Sequence, residues 1–188
     1  MEYVCLGCGT RRPGDSLLYT CPDCGGVFLL ENTRFDALRA TSGEQWRALF
    51  DGRAATRSTA LRGIFRYYEL LAPLMDEEDI VYLGEGLTPI IEAAPALRDQ
   101  IGIPFAYKND GQNPSASFKD RGMACAFSYL KWLCRRHNWE EVLTVCASTG
   151  DTSAAAALYA SYVGAPLTSV VLLPHGKVTP QQLSQPLG

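Results

Sequence analysis

The residues best suited to chemistry in this 188-residue sequence fall in three places. Four cysteines open the chain as two Cys-x2-Cys pairs, Cys5 with Cys8 and Cys21 with Cys24, each pair followed by glycine. Two such knuckles, twelve residues apart, suit a tetrahedral thiolate cage of the zinc-ribbon kind, because glycine lets backbone N–H groups approach the sulfurs. A unit so small has too little core to fold without its metal. The second place is Lys119, one of four lysines, set in Ser117-Phe-Lys-Asp-Arg121. A lysine used as a nucleophile must lose its proton readily, and the first turn of a helix disfavours the ammonium form through the helix dipole. The third is Ser148-Thr-Gly-Asp-Thr152. Between a strand and a helix, its hydroxyls and unpaired N–H groups would grip a carboxylate or a phosphate. Taken alone, the same residues serve equally as helix caps, and Lys119 as a solvated lysine.

The elements that must position these groups follow from periodicity. Trp46, Leu49 and Phe50, then Leu61, Ile64, Phe65, Tyr68 and Leu71, predict two helices, the second ending near Pro73. The acidic run Asp76 to Asp79 reads as a solvated turn, Ile80 to Leu83 as a short strand, and Gly84 to Pro89 as a glycine loop. Ile103 to Lys108 reads as another strand. Ser117 and Asp120 have the spacing of a capping box, so a helix should start beside Phe118 and carry Lys119 in its first turn. Its apolar stripe is Met123, Ala126, Phe127, Leu130, Leu133 and Cys134. Strand 142–147, turn 148–150, helix 151–162, a stop at Gly164 and strand 167–173 form a βαβ unit with its two strands parallel. The fold class is therefore α/β, and so small a parallel sheet with an open edge reads as an interrupted one.

Composition narrows the function. Hydrophobic residues make up 47% and charged residues 20%, enough for one good core, and the net charge of -3 offers no field for nucleic acid or an anionic membrane. Arg11 and Arg12 stand against Glu2, Asp15 and Asp23 in the first 30 residues, so a ribbon that recruits nucleic acid is disfavoured. No apolar stretch is long enough to span a bilayer and the start lacks a secretory pattern, which makes the cytoplasm the expected compartment. There, cysteines serve as metal ligands more readily than as disulfides. Cys125, Cys134 and Cys146 read as buried fillers. Arg135 and Arg136 complement a helix dipole, Asp120 and Arg121 cap the helix or pair with neighbouring carboxylates, and His137 and His175 are structural or exposed.

The run Asn113-Pro-Ser-Ala-Ser-Phe118-Lys119-Asp-Arg resembles the Asn-Pro-Thr-x-Ser-Phe-Lys-Asp-Arg signature of threonine synthases and related fold-type II pyridoxal-phosphate (PLP) enzymes. Gly84-Glu-Gly-Leu-Thr-Pro89, Ser148 to Thr152 and Val170 to Val178 are similar to further segments of that family, in the same order. Departures are Asp151 for a common Asn, Asp110 for Glu, and Ser115-Ala116 for Thr-Gly. The resemblance implies an N-terminal zinc ribbon (1–30), a helical segment with the start of the larger PLP-enzyme domain (31–118), and the βαβ part of the smaller α/β domain (119–188). The architecture implied is the tryptophan synthase β-like parallel sheet.

It implies Lys119 as the residue that carries PLP and acts as base, with Phe118, Asn113 and Asp151 around the cofactor. Ser148, Thr149, Gly150 and Thr152 would hold the substrate carboxylate, and Lys108 its phosphate. Structural zinc would sit on Cys5, Cys8, Cys21 and Cys24. The implied reaction converts O-phospho-L-homoserine and water to L-threonine and phosphate; a cysteate synthase or another lyase of the fold is the alternative. The partner expected is a small amino-acid substrate, with room for a homodimer. The family's phosphate cup and ring-nitrogen partner come from its C-terminal half, so these 188 residues alone are expected to hold PLP weakly or not at all.

Overall fold

The computed structural model describes residues 1–56 and 60–187. β1 (Glu2–Cys5), β2 (Arg11–Pro13) and β3 (Phe28–Glu31) form an antiparallel sheet in the order β2-β1-β3, with Tyr3 opposite both Arg12 and Leu30. Two tight turns close it. Gly9 N–H donates to the Cys5 carbonyl and Gly25 N–H to the Cys21 carbonyl, so both Cys-x2-Cys segments curl back on themselves.

α1 (Phe35–Arg39) and α2 (Gly43–Ala55) follow, the second started by a capping box in which Ser42 and Gln45 each bond the other's backbone N–H. Trp46 stacks on Phe50 and Phe50 meets Tyr67 edge-on, which is where the expected apolar stripe finds its partner. The second expected helix is not one continuous helix. It is a 3-10 turn, Gly63–Tyr67, running into the single-turn α3 (Tyr68–Leu71). Gly63 has φ +56, outside the helical region, and a Cβ there would lie 2.3 Å from the Glu85 carbonyl. The chain is bent at this point so that Gly63 and Gly86 can touch.

Two further readings are corrected. Among the described residues Ile80 to Leu83 pairs with no strand; two of its donors go to side chains, the Val81 N–H to Ser128 Oγ (2.8 Å) and the Leu83 N–H to Glu85 Oε2 (3.0 Å). The acidic run is not simply solvated, since Asp79 is 1% exposed and pairs with Arg135 at 2.6 Å. Arg135 also reaches Asp76 and Glu78, so its role goes beyond answering a helix dipole.

β4 (Ile90–Glu92), α4 (Pro95–Ile101) and β5 (Ala106–Lys108) come next, β4 pairing antiparallel with β5, Ile90 opposite Lys108. The strand expected from Ile103 is shortened to three residues, since Pro104 has no N–H to give a ladder. The last elements are α5 (Lys119–His137), β6 (Val142–Ala147), α6 (Asp151–Val163), β7 (Leu167–Leu172) and α7 (Pro180–Ser184). β6 and β7 are parallel as expected, Val142 facing Leu167 through to Ala147 facing Leu172.

The core lies between α5, α6 and the segment 65–81. Phe65, Val81, Ala124, Leu133 and Tyr159 are almost wholly buried there, with Phe127 stacked on Tyr159. The inward face of α5 is turned slightly from the expected stripe: Ala124, Phe127 and Ser128 point in, Ala126 points out. Ser128 belongs inside because its hydroxyl serves the buried Val81 N–H. Of the three downstream cysteines Cys134 is buried, while Cys125 and Cys146 are half-buried, a partial correction. Burial pushes the Cys125 thiol up to about 11, which suits an inert filler.

The far half of α5 holds the cysteine-bearing sheet. Tyr129 Oη donates to the Gly14 carbonyl (2.8 Å) and lies 3.0 Å from Tyr3 Oη; Arg136 pairs with Asp15 at 2.7 Å. Arg136 and His137, which the sequence suggested were generic end residues, thus dock the N-terminal sheet. Among the described residues, no helix is long and apolar enough to cross a membrane.

A candidate active site at the start of two helices

Lys119 is the first residue of α5, as its neighbours suggested, but the capping is different. Asp120 does not close a box with Ser117. Fully buried, it turns back to accept hydrogen bonds from the Ser115 N–H (2.7 Å) and hydroxyl (2.6 Å), fixing the turn that precedes the helix. Inside that turn Ala116 has φ +60, a left-handed backbone. Ser117 Oγ accepts from the Lys119 N–H (3.2 Å) and donates to Asp151 Oδ2 (2.9 Å).

That last bond sets the geometry of the site. Asp151 is the first residue of α6 and lies in the hydroxyl-rich turn 148–152, so the turn bearing Lys119 and the turn suited to an anion are fastened together by one side-chain contact. Around it, Ser148 Oγ accepts from Gly150 N–H (3.4 Å), while Ser153 Oγ and the N–H groups of Ser153 and Ala154 all turn to the Gly150 carbonyl. The Asp151 and Thr152 N–H groups precede the first intrahelical bond, in the position of orphan donors at a positive dipole end. Ser148, Thr149, Gly150 and Thr152 are half-buried, within reach of a small ligand. Lys119 is half-buried too, its Nζ 4.5 Å from the centroid of the Phe118 ring, which is 56% exposed on the open side.

A second set of contacts braces this arrangement. Asn113 Oδ1 accepts from the Gly86 N–H (3.0 Å) and its Nδ2 donates to the Asp110 carbonyl (2.8 Å). Asn113 thus holds two backbone segments and keeps one Nδ2 hydrogen to spare. Asp110 takes both ends of the Arg121 guanidinium (2.7 and 2.9 Å) and the Thr88 hydroxyl (2.7 Å). These hydrogen bonds hold its carboxyl down to about 2 and raise Arg121 in turn. Lys108 Nζ donates to the Thr88 carbonyl (2.8 Å), so its amine is tied to the same loop. Thr88, Asp110 and Glu85 had not been singled out as functional. The glycine loop that contains two of them was the available signal, and the pairing of Arg121 with a carboxylate is the one the residue types suggested.

The four N-terminal cysteines bring their sulfurs together within 4.8 Å of one another, Cys5 and Cys24 at 3.4 Å, Cys8 and Cys21 at 3.7 Å. Thiolates around a tetrahedral zinc at ~2.3 Å lie about 3.8 Å apart, so the cluster fits such an ion. Gly7 N–H points at Cys5 Sγ (3.3 Å), and a Cβ at Gly26 would meet both Cys5 and Cys24 sulfurs within 3.2 Å. The site is thus cradled by backbone where a side chain could not fit.

Comparison with known proteins places the chain in a family. A sequence model described as pyridoxal-phosphate dependent enzyme matches residues 81–186, which takes in the glycine loop, Lys119 and the turn at 148–152. The chain belongs to that family. Curated threonine synthases are similar to it: that of Methanocaldococcus jannaschii is 36% identical over 182 residues, covering 96% of this chain and 40% of that protein. That of Synechocystis sp. is 42% identical over 128 residues, covering 67% and 31%. The crystal structure of a PLP-bound threonine synthase from Brucella melitensis shares the fold, with a TM-score of 0.62 over 98% of this chain and 38% of that one, at 20% identity. The chain therefore spans less than half the length of the relatives it matches.

Proposed function

We propose that this chain carries the Lys119 part of a threonine synthase, converting O-phospho-L-homoserine and water into L-threonine and phosphate. The observation that carries the reading is the Ser117–Asp151 hydrogen bond, which sets a family-signature lysine beside a turn suited to an amino acid's carboxylate. The similarity to curated threonine synthases supports the choice of substrate.

The residues fit PLP: a half-exposed lysine amine at a helix start, beside an open aromatic face, is the group an aldehyde cofactor requires. When bound, PLP supplies an electron sink that makes the α and β protons of an amino-acid substrate removable. Lys119 would hold the cofactor at rest and, once the substrate amine displaces it, take the α proton and then move the β proton as the γ phosphate leaves. The Asp151 and Thr152 N–H groups, with the Ser148, Thr149 and Thr152 hydroxyls, would orient the α carboxylate. A proton would be delivered to the γ carbon, water would add its hydroxyl at the β carbon, and return of a proton to the α carbon would complete threonine. Phe118 would bear on the cofactor ring. Asp151, its carboxylate drawn to Ser117, would steady the turn from the side away from the substrate's negative charge, and the Lys108 amine, tied to Thr88, would reach the substrate phosphate only by leaving that carbonyl.

The four-cysteine cluster would hold a structural zinc ion, since all four positions are protein sulfur and none is left for substrate. The compartment that fits reduced thiols is the cytoplasm, and a homodimer is compatible with the reading. The test is phosphate release by the holoenzyme from phosphohomoserine, compared with turnover of phosphoserine plus sulfite. Turnover of the second pair alone would replace this reading by cysteate synthesis.

A further inference from the structure

Glu85 is the one carboxyl in the glycine loop, and no part of the proposed chemistry uses it. It is wholly buried. Its Oε2 accepts from the Leu83 N–H (3.0 Å) and from the Tyr159 hydroxyl (2.8 Å), while Oε1 is buried with no partner among the described residues. Tyr159 is itself fully buried on α6, two helical turns beyond Asp151. The neighbouring residue, Gly86, donates its N–H to Asn113 in the turn that leads to Lys119. One side of the loop is thus attached to the helix that begins the anion-gripping turn, the other to the turn that begins the lysine helix.

We propose that Glu85 is a positioning residue, whose side chain locks the 84–88 loop to α6 through Tyr159 and thereby sets the distance between Lys119 and the 148–152 turn. The inference rests on the threonine synthase reading only for its kinetic readout. Among the described residues no cation is bonded to the carboxyl, and its two partners, the Tyr159 hydroxyl and the Leu83 N–H, both donate to Oε2. The titratable groups that face it are Tyr159 on α6, Tyr82 on its own segment, and Asp120, Arg121 and Cys125 on α5. Burial raises the Glu85 carboxyl, and the Asp120 charge adds to that rise. Gly63 sits against the loop on one side: a Cβ on Gly86 would lie 3.1 Å from the Gly63 Cα.

The link predicts an ordering of variants. In the holoenzyme, Glu85→Gln keeps an acceptor for Tyr159 and should hold kcat within about 3-fold of the unaltered enzyme, whereas Glu85→Ala should lower kcat by roughly 10- to 100-fold with little change in KM, the scale expected when reacting groups shift by ~1 Å. Tyr159→Phe should fall between them, and adding it to Glu85→Ala should cost little more, because both cut the same connection. The second readout is visible circular dichroism of the lysine-held cofactor, which reports ring orientation without needing the substrate to be right: altered in Glu85→Ala and retained in Glu85→Gln. Full activity and unchanged dichroism in Glu85→Ala would overturn the proposal. So would a loss in Glu85→Gln equal to that in Glu85→Ala, which would mean that the negative charge itself is needed. Should Glu85→Ala fail to fold, Tyr159→Phe decides: unchanged kcat and dichroism refute the link, and a loss of both supports it. If the unaltered holoenzyme leaves phosphohomoserine untouched, the substrate reading fails while the dichroism still tests the link.

Discussion

Replacing Asp110 by asparagine removes the charge from the most heavily bonded carboxylate of the brace while keeping an oxygen for Thr88. In place of one oxygen it sets an amide donor against the Arg121 guanidinium. The carboxyl is held at about 2 against an ordinary 3.8, which at ~1.4 kcal/mol per pH unit corresponds to roughly 2.5 kcal/mol of native-state preference for the charged form. The two side chains are 33% and 25% exposed, so solvent screening reduces the figure to about 1 kcal/mol. The sign follows from the direction. A folded-state value below the ordinary one stabilises the protein above about pH 4, and that contribution is lost as pH falls through 4 toward 2. Urea denaturation of the two proteins at pH 7 should therefore differ by about 1 kcal/mol, and the gap should narrow across this acid window. Equal stability at pH 7, or a difference that persists unchanged down to pH 2, would show that the Asp110–Arg121 pair does not hold this loop.

Other outcomes follow from the same contacts. Lys119→Ala should abolish the visible absorbance of lysine-held cofactor and lower turnover by about 10³-fold, the scale of losing a positioned base. Ser128→Ala removes a single buried oxygen and orphans the Val81 N–H, so it should cost about 1–3 kcal/mol in thermal or chemical denaturation. Ala116→Gly should be neutral or stabilising by up to ~1 kcal/mol, against the usual cost of that change, because φ +60 suits glycine better. Elemental analysis should find about one zinc per chain, and Cys21→Ser should reduce it together with the melting temperature.

Much of this was legible before any coordinates. The βαβ segment follows from local signals alone: an apolar run, a hydroxyl turn, an alanine-rich helix stopped by Gly164, and a second apolar run. The start of α5 at Lys119 was legible too, though not through the box its spacing suggested, since Asp120 bonds back to Ser115. What was not legible depends on partners distant in sequence. Nothing local says that Val81 will bond Ser128 instead of a strand or that Asp79 will be buried under Arg135. Asn113 shows the limit from the other side: its place in a signature suggests contact with a cofactor, and only the three-dimensional partner Gly86 reveals that it also holds the glycine loop.

The 19-residue α5 has Lys119 at one end and the clasp on the cysteine-bearing sheet toward the other. Tyr129 and Arg136 lie about 15 and 25 Å along the axis from Lys119, beyond the ~8 Å over which charges are felt in physiological salt. The helix therefore joins the two places by packing and not by charge, and cobalt taken up by the four cysteines would serve as a coloured reporter of that attachment.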